Sequence, residues 1–319
     1  MTGGAVDFYE QRTDDVEVLF QGATGEKWDF EPLQLSAGPL ASRVGIVRLP
    51  DMAIYSCRHA ASLHVRESHS EDGIFLTFLL DASGPAKWYG RELEPDLALL
   101  FYPDHEQDYV LPCHATALGF MIRRPLLQDM GWSTGPVPLR KISTAGIHSL
   151  TACTGQLFRL VRQGEMVDEG GAQILQERLM VGLDELIKPS LQDAVVTKRH
   201  NPHPGRYFRL IEKARRYMAE HDPAQKLDIG CMAGHLGASP RTLYRAFTRY
   251  LGIGPYEYFT LLRFHTFRRM IRDGDRCHGA ITAAASRAGF LHLGRFAKLY
   301  QRHYGELPRE SLQRWSWNR

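Results

Sequence analysis

Twice within its last hundred or so residues the chain repeats one pattern: a short run of small and apolar residues, a glycine turn, then an amphipathic stretch with basic residues on its polar side. Helices this short are marginal alone, so they must pack on one another around a shared core. In the first copy, Asp228 is placed to cap a helix whose Ile229, Met232, Ala233 and Leu236 point inward. Gly237-Ala238 makes the turn, and Ser239 caps the next helix with Pro240 at its first position. There Leu243, Ala246, Phe247 and Leu251 share the apolar face, which leaves Arg241, Tyr244, Arg245 and Arg249 outward. Pro255 then opens a long helix, apolar at Tyr258, Leu261, Leu262, Phe264 and Phe267, that ends near Asp273-Gly274. In the second copy, residues 281–290 give a small-residue helix and a Gly-Phe turn. A last helix from about His292 is expected to bury Phe296, Leu299 and Tyr300 and to expose Arg295, Lys298 and Arg302.

A helix, a tight turn and a second helix with a basic outer face form a helix-turn-helix, whose second helix fits a DNA major groove. Two such units on one rigid helix can enter successive grooves about 34 Å apart. Charge agrees. Residues 206–319 carry 21 Lys and Arg against 9 Asp and Glu, a balance of +12, while the rest carries 18 against 27, a balance of −9. The net +3 conceals a basic module joined to an acidic partner.

Residues 1–27 show no sustained periodicity and read as a flexible tail, without the basic-then-apolar start of a signal peptide. Residues 28–124 hold short apolar stretches broken by turn residues, such as Gly73-Ile74-Phe75-Leu76-Thr77-Phe78-Leu79-Leu80 before Asp81-Ala82-Ser83-Gly84-Pro85. That spacing predicts antiparallel strands in a sandwich or barrel. Leu150, Cys153, Leu157 and Leu160, then Ile174, Leu175, Leu179, Leu183 and Leu186, recur at helical spacing. These two helices either cap the barrel or pair with a second copy of the chain; pairing is the expectation. Residues 189–205, with Pro202, Pro204 and Gly205, form a linker that neither flanking helix can continue through. No apolar run is long enough to span a membrane, and five scattered cysteines (Cys57, Cys113, Cys153, Cys231, Cys277) suit reduced thiols in a cytoplasm.

The segment from about Tyr207 to Arg314 resembles the DNA-binding domain of the AraC/XylS family. The resemblance rests on Met232-Ala233, on Ser239-Pro240-Arg241-Thr242-Leu243-Tyr244-Arg245-Ala246-Phe247 and on Gly254-Pro255-Tyr256. It continues through Arg263, Ala288-Gly289-Phe290, Phe296, Tyr300 and Tyr304-Gly305-Glu306-Leu307-Pro308. It implies base contacts by Arg241, Tyr244 and Arg245, and by His292, Arg295 and Lys298 in the second unit, with Ser239, Thr242 and Arg249 completing the interface. Leu291, His292 and Gly294 depart from the small polar residues usual there, so the second unit is expected mainly to hold phosphates through Lys298, Arg302 and His303. The strand-rich half is similar to the cupin-like sensing and dimerisation domain that precedes this module in the family.

The expected fold is therefore an α+β two-domain chain. A cupin-like antiparallel β-barrel with two trailing helices spans 28–188, and an all-α double helix-turn-helix domain spans 206–319. The resemblance implies a cytoplasmic homodimer that binds double-stranded DNA, acts with RNA polymerase, needs no cofactor and answers to a small molecule in the barrel. Arg43, Arg58, Arg66, Trp88 and Arg91 are the candidate ligand residues, the arginines suiting an anion. A small metabolite is the first candidate. Cyclic di-GMP is the second, because Asp81-Ala82-Ser83 with Lys87 and Arg91 loosely resembles motifs that hold it. The alternative is a metal-dependent cupin enzyme fused to a DNA-binding domain, with His64, His69, Glu71, His105, Cys113 and His114 as ligands, although His64 and His69 lack the His-x-His spacing.

Overall fold

The computed structural model describes residues 6–20, 28–69, 73–93, 97–103, 105–129, 131–132, 139–141, 144–164, 167–191, 205–222, 225–274 and 279–317. The strands are β1 (Asp7–Thr13), β2 (Trp28–Gln34), β3 (Ser42–Arg48), β4 (Met52–His59), β5 (Leu63–His69), β6 (Gly73–Asp81), β7 (Lys87–Trp88), β8 (Arg91–Glu92), β9 (Leu97–Phe101), β10 (Gln107–Leu111), β11 (Ala115–Arg123) and β12 (Leu139–Lys141). They form two antiparallel sheets that face each other without closing into the expected barrel. The larger runs β1-β3-β4-β11-β6-β9-β12 and the smaller β2-β5-β10-β7-β8.

The helices are α1 (Arg124–Asp129), α2 (Thr144–Arg162), α3 (Glu169–Leu191), α4 (Arg206–Glu220), α5 (Ile229–His235), α6 (Pro240–Leu251), α7 (Pro255–Asp273), α8 (Ala280–Arg287), α9 (Leu293–Tyr304) and α10 (Pro308–Trp317). Helix α3 runs on to Leu191, three residues into the expected 189–205 linker, and residues 192–204 lie outside the described set.

The layers follow from the two-residue period of a strand. On β11, Leu118, Phe120 and Ile122 join the core beneath α2 and α3, while the small Ala117 and Gly119 face the other sheet. On β6, Ile74, Leu76 and Phe78 take the helix side, and Phe75, Thr77 and Leu79 the inner side. Burial on both faces explains why this strand reads as an unbroken apolar run. The smaller sheet is also two-sided: its far face carries Leu33, Leu35 and Val110 into the core of the C-terminal helices. The order is thus α2 and α3, large sheet, inner space, small sheet, C-terminal helices.

Three expectations are corrected. Within the supposed tail, β1 pairs with β3 from Asp7 opposite Arg48 to Thr13 opposite Ser42, and a 3-10 turn at Val16–Val18 follows. Its partners are distant in sequence, so no local periodicity announces it. Leu299 is exposed rather than buried. The C-terminal helices are packed against the small sheet and not merely joined through the linker.

Candidate nucleic-acid interface and inner cavity

Both helix-turn-helix units close with the same backbone pattern. The Gly237 amide donates to Gly234 O at 3.1 Å and Ala238 N–H to Ala233 O at 2.9 Å; Gly289 N–H donates to Ser286 O at 2.8 Å and Phe290 N–H to Ala285 O at 2.8 Å. The turn needs a left-handed residue, and Gly237 (φ 64°) and Gly289 (φ 85°) supply it without a Cβ clash. Asp228 caps α5 by accepting Cys231 N–H at 2.9 Å, and Ser239 caps α6 by accepting Thr242 N–H at 3.1 Å. The Ser239 and Thr242 hydroxyls also bond each other at 2.9 Å. Arg263 of α7 donates through Nε to Ala288 O at 2.7 Å and lies over the Phe290 ring at 4.5 Å, tying the long helix to the second turn.

Arg241, Tyr244, Arg245 and Arg249 of α6 are exposed, as are His292, Arg295, Lys298 and Arg302 at and along α9. Of these, Arg249 lies over the Tyr207 ring at 6.0 Å. The apolar Leu291 and Leu293 share the exposed start of α9, so the second unit is the less polar of the two. His303 is a correction. It is 8% exposed, its Nε2–H donates to Gln34 O at 3.2 Å, and burial pushes its pKa down to about 4, so it offers no cation to a phosphate.

The C-terminal ends of both basic helices are fastened to the strand-rich half. On α6, Arg249 O accepts Lys87 Nζ at 2.6 Å, and the Tyr250 hydroxyl donates to Asp108. Gly90 permits this approach: a Cβ there would lie 2.9 Å from the Tyr250 ring, and its φ of 79° is left-handed. Asp108 also accepts His64 Nε2–H at 3.0 Å, and Tyr258 of α7 lies 3.3 Å from His64 Nδ1. On α9, Gly38 N–H donates to His303 O at 2.9 Å.

A second fastening uses the segment after β1. Asp15 accepts from Arg268 of α7 and from the Trp315 indole; Glu17 accepts from His265 at 2.9 Å. Arg272 Nη1 donates to Glu17 O at 2.7 Å. Arg268 is fully buried and also donates to the Tyr300 hydroxyl at 2.7 Å; its pKa is raised by the surrounding acids and phenols, which outweigh desolvation together.

Between the two sheets lies a cavity of about 490 Å³. Trp28 and Phe30 of β2, Tyr55 of β4, Phe75 of β6, Phe101 of β9 and Tyr109 of β10 give it an aromatic wall. Glu67 of β5 is its buried carboxyl, accepting the Tyr109 hydroxyl at 2.9 Å and Trp28 Nε1–H at 3.0 Å. Burial pushes its pKa up to about 7 despite those two donors. Burial likewise moves Cys57 up to about 12 and His59 down to about 4, and carries Tyr109 well above the usual phenol range. His59 Nε2 and Thr77 Oγ1 are buried without a hydrogen-bond partner in this lining.

The candidate ligand residues lie elsewhere, because alternation turns them to other faces. Arg43 pairs with Glu10 at 2.9 Å, Arg58 and Arg91 are exposed, and Arg66 pairs with Glu31 at 2.9 Å and with Glu106. Trp88 is buried, its Nε1–H donating to Gln107 at 3.1 Å, beside the aromatic wall but not in the lining. The Asp81-Ala82-Ser83 fragment is a turn in which Ser83 N–H and Oγ–H both donate to Cys113 O, at 3.0 and 2.7 Å, and Lys87 is held by Arg249 O. The histidines considered for a metal are dispersed among the described residues: His64 serves Asp108 and His69 approaches Phe101 O at 3.3 Å, while Glu71 lies outside them. Sequence reading missed Glu67, although its parity with the inward Leu63 and Val65 on β5 marks an acid on an apolar face.

A family model described as a helix-turn-helix domain matches residues 232–314. The XylDLEGF operon transcriptional activator of Pseudomonas putida is 27% identical over 251 residues, 72% of each chain. The crystal structure of the AraC-like transcriptional activator CuxR is similar with a TM-score of 0.45 and 12% identity, over 89% of this chain and 100% of that one. XylDLEGF operon transcriptional activator 1 of Pseudomonas putida is 38% identical over 244 residues, 70% of both chains, and with that likeness the chain belongs to the AraC/XylS family of DNA-binding transcription activators.

Proposed function

We propose that this activator is controlled by a small molecule held between its two sheets, which changes how the small sheet grips the DNA-binding helices. One observation carries it: the strands that wall the cavity are also the platform under those helices. On β5, Val65 and Glu67 face the cavity while His64 reaches Tyr258; on β10, Tyr109 and Leu111 face the cavity while Asp108 and Val110 meet the helical half. A ligand that prefers one spacing of these strands shifts the equilibrium of the docked helices by its difference in affinity for the two states.

In this reading Arg241, Tyr244 and Arg245 read base edges, assisted by Ser239, Thr242 and Arg249, while His292, Arg295, Lys298 and Arg302 mainly hold phosphates. A second copy pairs through α2 and α3, where Ile174 and Val181 stand exposed seven residues apart. RNA polymerase is the partner of the DNA-bound activator. Selection of bound duplexes from a random pool tests the DNA side, and a single enriched motif is expected. Filling the cavity by Ala117→Phe tests the control: DNA affinity should then stop responding to whatever effector stimulates the wild type. Absence of an enriched motif removes the base-reading role, and an undiminished response removes the cavity.

A further inference from the structure

The cavity has a definite electrostatic character. Among the described residues its lining holds two carboxylates, the buried Glu67 and the exposed Asp81, and neither lysine nor arginine. The arginines that suited an anion are turned away and paired or exposed. An anionic ligand would therefore enter a largely apolar space with no lysine or arginine to meet it and share that space with Glu67, an arrangement that burial makes costly. A cation meets the opposite situation. Aromatic faces attract positive charge through their quadrupoles, most strongly where water is excluded, and Trp28 and Tyr109 already orient the Glu67 carboxylate by donating to its two oxygens. Apart from Asp81, His59, Thr77 and Cys57 the rest of the wall is largely apolar, with the small Ala117 and Gly119 leaving room for a hydrophobic body.

We infer that the effector is an amphiphilic monocation, an amine or ammonium head on an apolar or aromatic body, with the head against Glu67 and the body over β11. This rests on the cavity being the effector site and adds the chemical class. His59 carries no charge to oppose such a head, since burial keeps its imidazole neutral at ordinary pH.

The test is isothermal titration of the full chain with three probes of one shape: benzylamine, benzyl alcohol and phenylacetate. The wild type is expected to bind the amine about tenfold more tightly than the alcohol, with the carboxylate weakest. Glu67→Gln should remove the amine's advantage and leave the alcohol unchanged, with circular dichroism checking that the variant folds. Because the wild-type ranking does not depend on that variant, it decides the class even if Glu67→Gln misfolds. Ala117→Phe should abolish binding of all three. Equal or tighter binding of the alcohol or carboxylate, still blocked by Ala117→Phe, overturns the cationic class while the cavity survives as effector site. Binding that Ala117→Phe leaves intact, or failure of all three probes to bind, overturns both.

Discussion

Tyr109 and Asp108 are consecutive on β10 and serve opposite sides of the small sheet: the Tyr109 hydroxyl donates to Glu67 inside the cavity, at 2.9 Å, and Asp108 accepts the Tyr250 hydroxyl of α6 beneath the DNA-binding helices. A movement of this strand cannot alter one contact without the other. Tyr250→Phe leaves Asp108 buried with one donor fewer, at a cost of about 1–3 kcal/mol. The expected outcome is faster amide exchange in β10 and the end of α6, with a weakened effector response of DNA affinity. Unchanged exchange in both elements would separate the cavity from the docking surface.

Asp15 and Arg268 are a buried pair, 1% and 0% exposed, drawn from the segment after β1 and from α7. Removing one partner strands a charge in the interior and typically costs about 3–5 kcal/mol. Asp15→Ala should lower the urea midpoint accordingly, and truncation before residue 20 should do at least as much. A truncated protein as stable as the full chain would return residues 7–19 to the status of a tail.

Arg245 and Lys298 are both exposed but are assigned different tasks. Arg245→Ala should reduce discrimination between the selected duplex and a scrambled one by about 1–3 kcal/mol. Lys298→Ala should weaken both duplexes alike and lower the salt slope by about one. Fluorescence anisotropy across a salt series distinguishes these results, and a reversed pattern would exchange the roles.

Ile174 and Val181 are 54% and 53% exposed on α3; Val181 lines a groove shared with α2 that Leu157 and Leu160 also line, and Ile174 directly precedes Leu175 of the same lining. Ile174→Glu with Val181→Glu should convert a dimer to monomers in light scattering without changing the helical circular dichroism. A dimer that persists puts the pairing surface elsewhere.

The stability of the empty protein should carry the signature of Glu67. Its unfolded carboxyl titrates near 4.5 and the folded one at about 7, so the proton is held more tightly in the fold. The associated stability is present below about 4.5 and is lost as pH rises to about 7. Around it Cys57 (about 12) and Tyr109 (higher) ionise above this window, and His59 (about 4) only below it. Glu67→Gln should therefore gain stability relative to wild type between pH 4.5 and 7 and track it in parallel above, as read by thermal melts. A flat difference would show that the carboxyl is not held protonated.

The helix-turn-helix units are legible in the sequence because their signals are local. A capping Ser239 or Asp228, Pro240 at a first turn, a glycine in the left-handed region and an apolar stripe at helical spacing each act within a few residues. Position in three dimensions then overrode local chemistry where distant segments met. His303 and Arg268 are basic residues on helices of a DNA-binding module, yet Gln34 and Asp15 claim them, and no spacing within the module announces partners more than two hundred residues away. In the strand-rich half the sequence conveys that strands exist, through apolar runs and turns. It does not say which face of each strand meets a cavity, because on a strand buried on both sides, such as β6, both parities are largely apolar, and on β5 the alternation marks two faces without saying which one lines a cavity. Pairing register made that choice, turning Glu67 inward and Arg66 outward on one strand, and with it the charge that a ligand would meet.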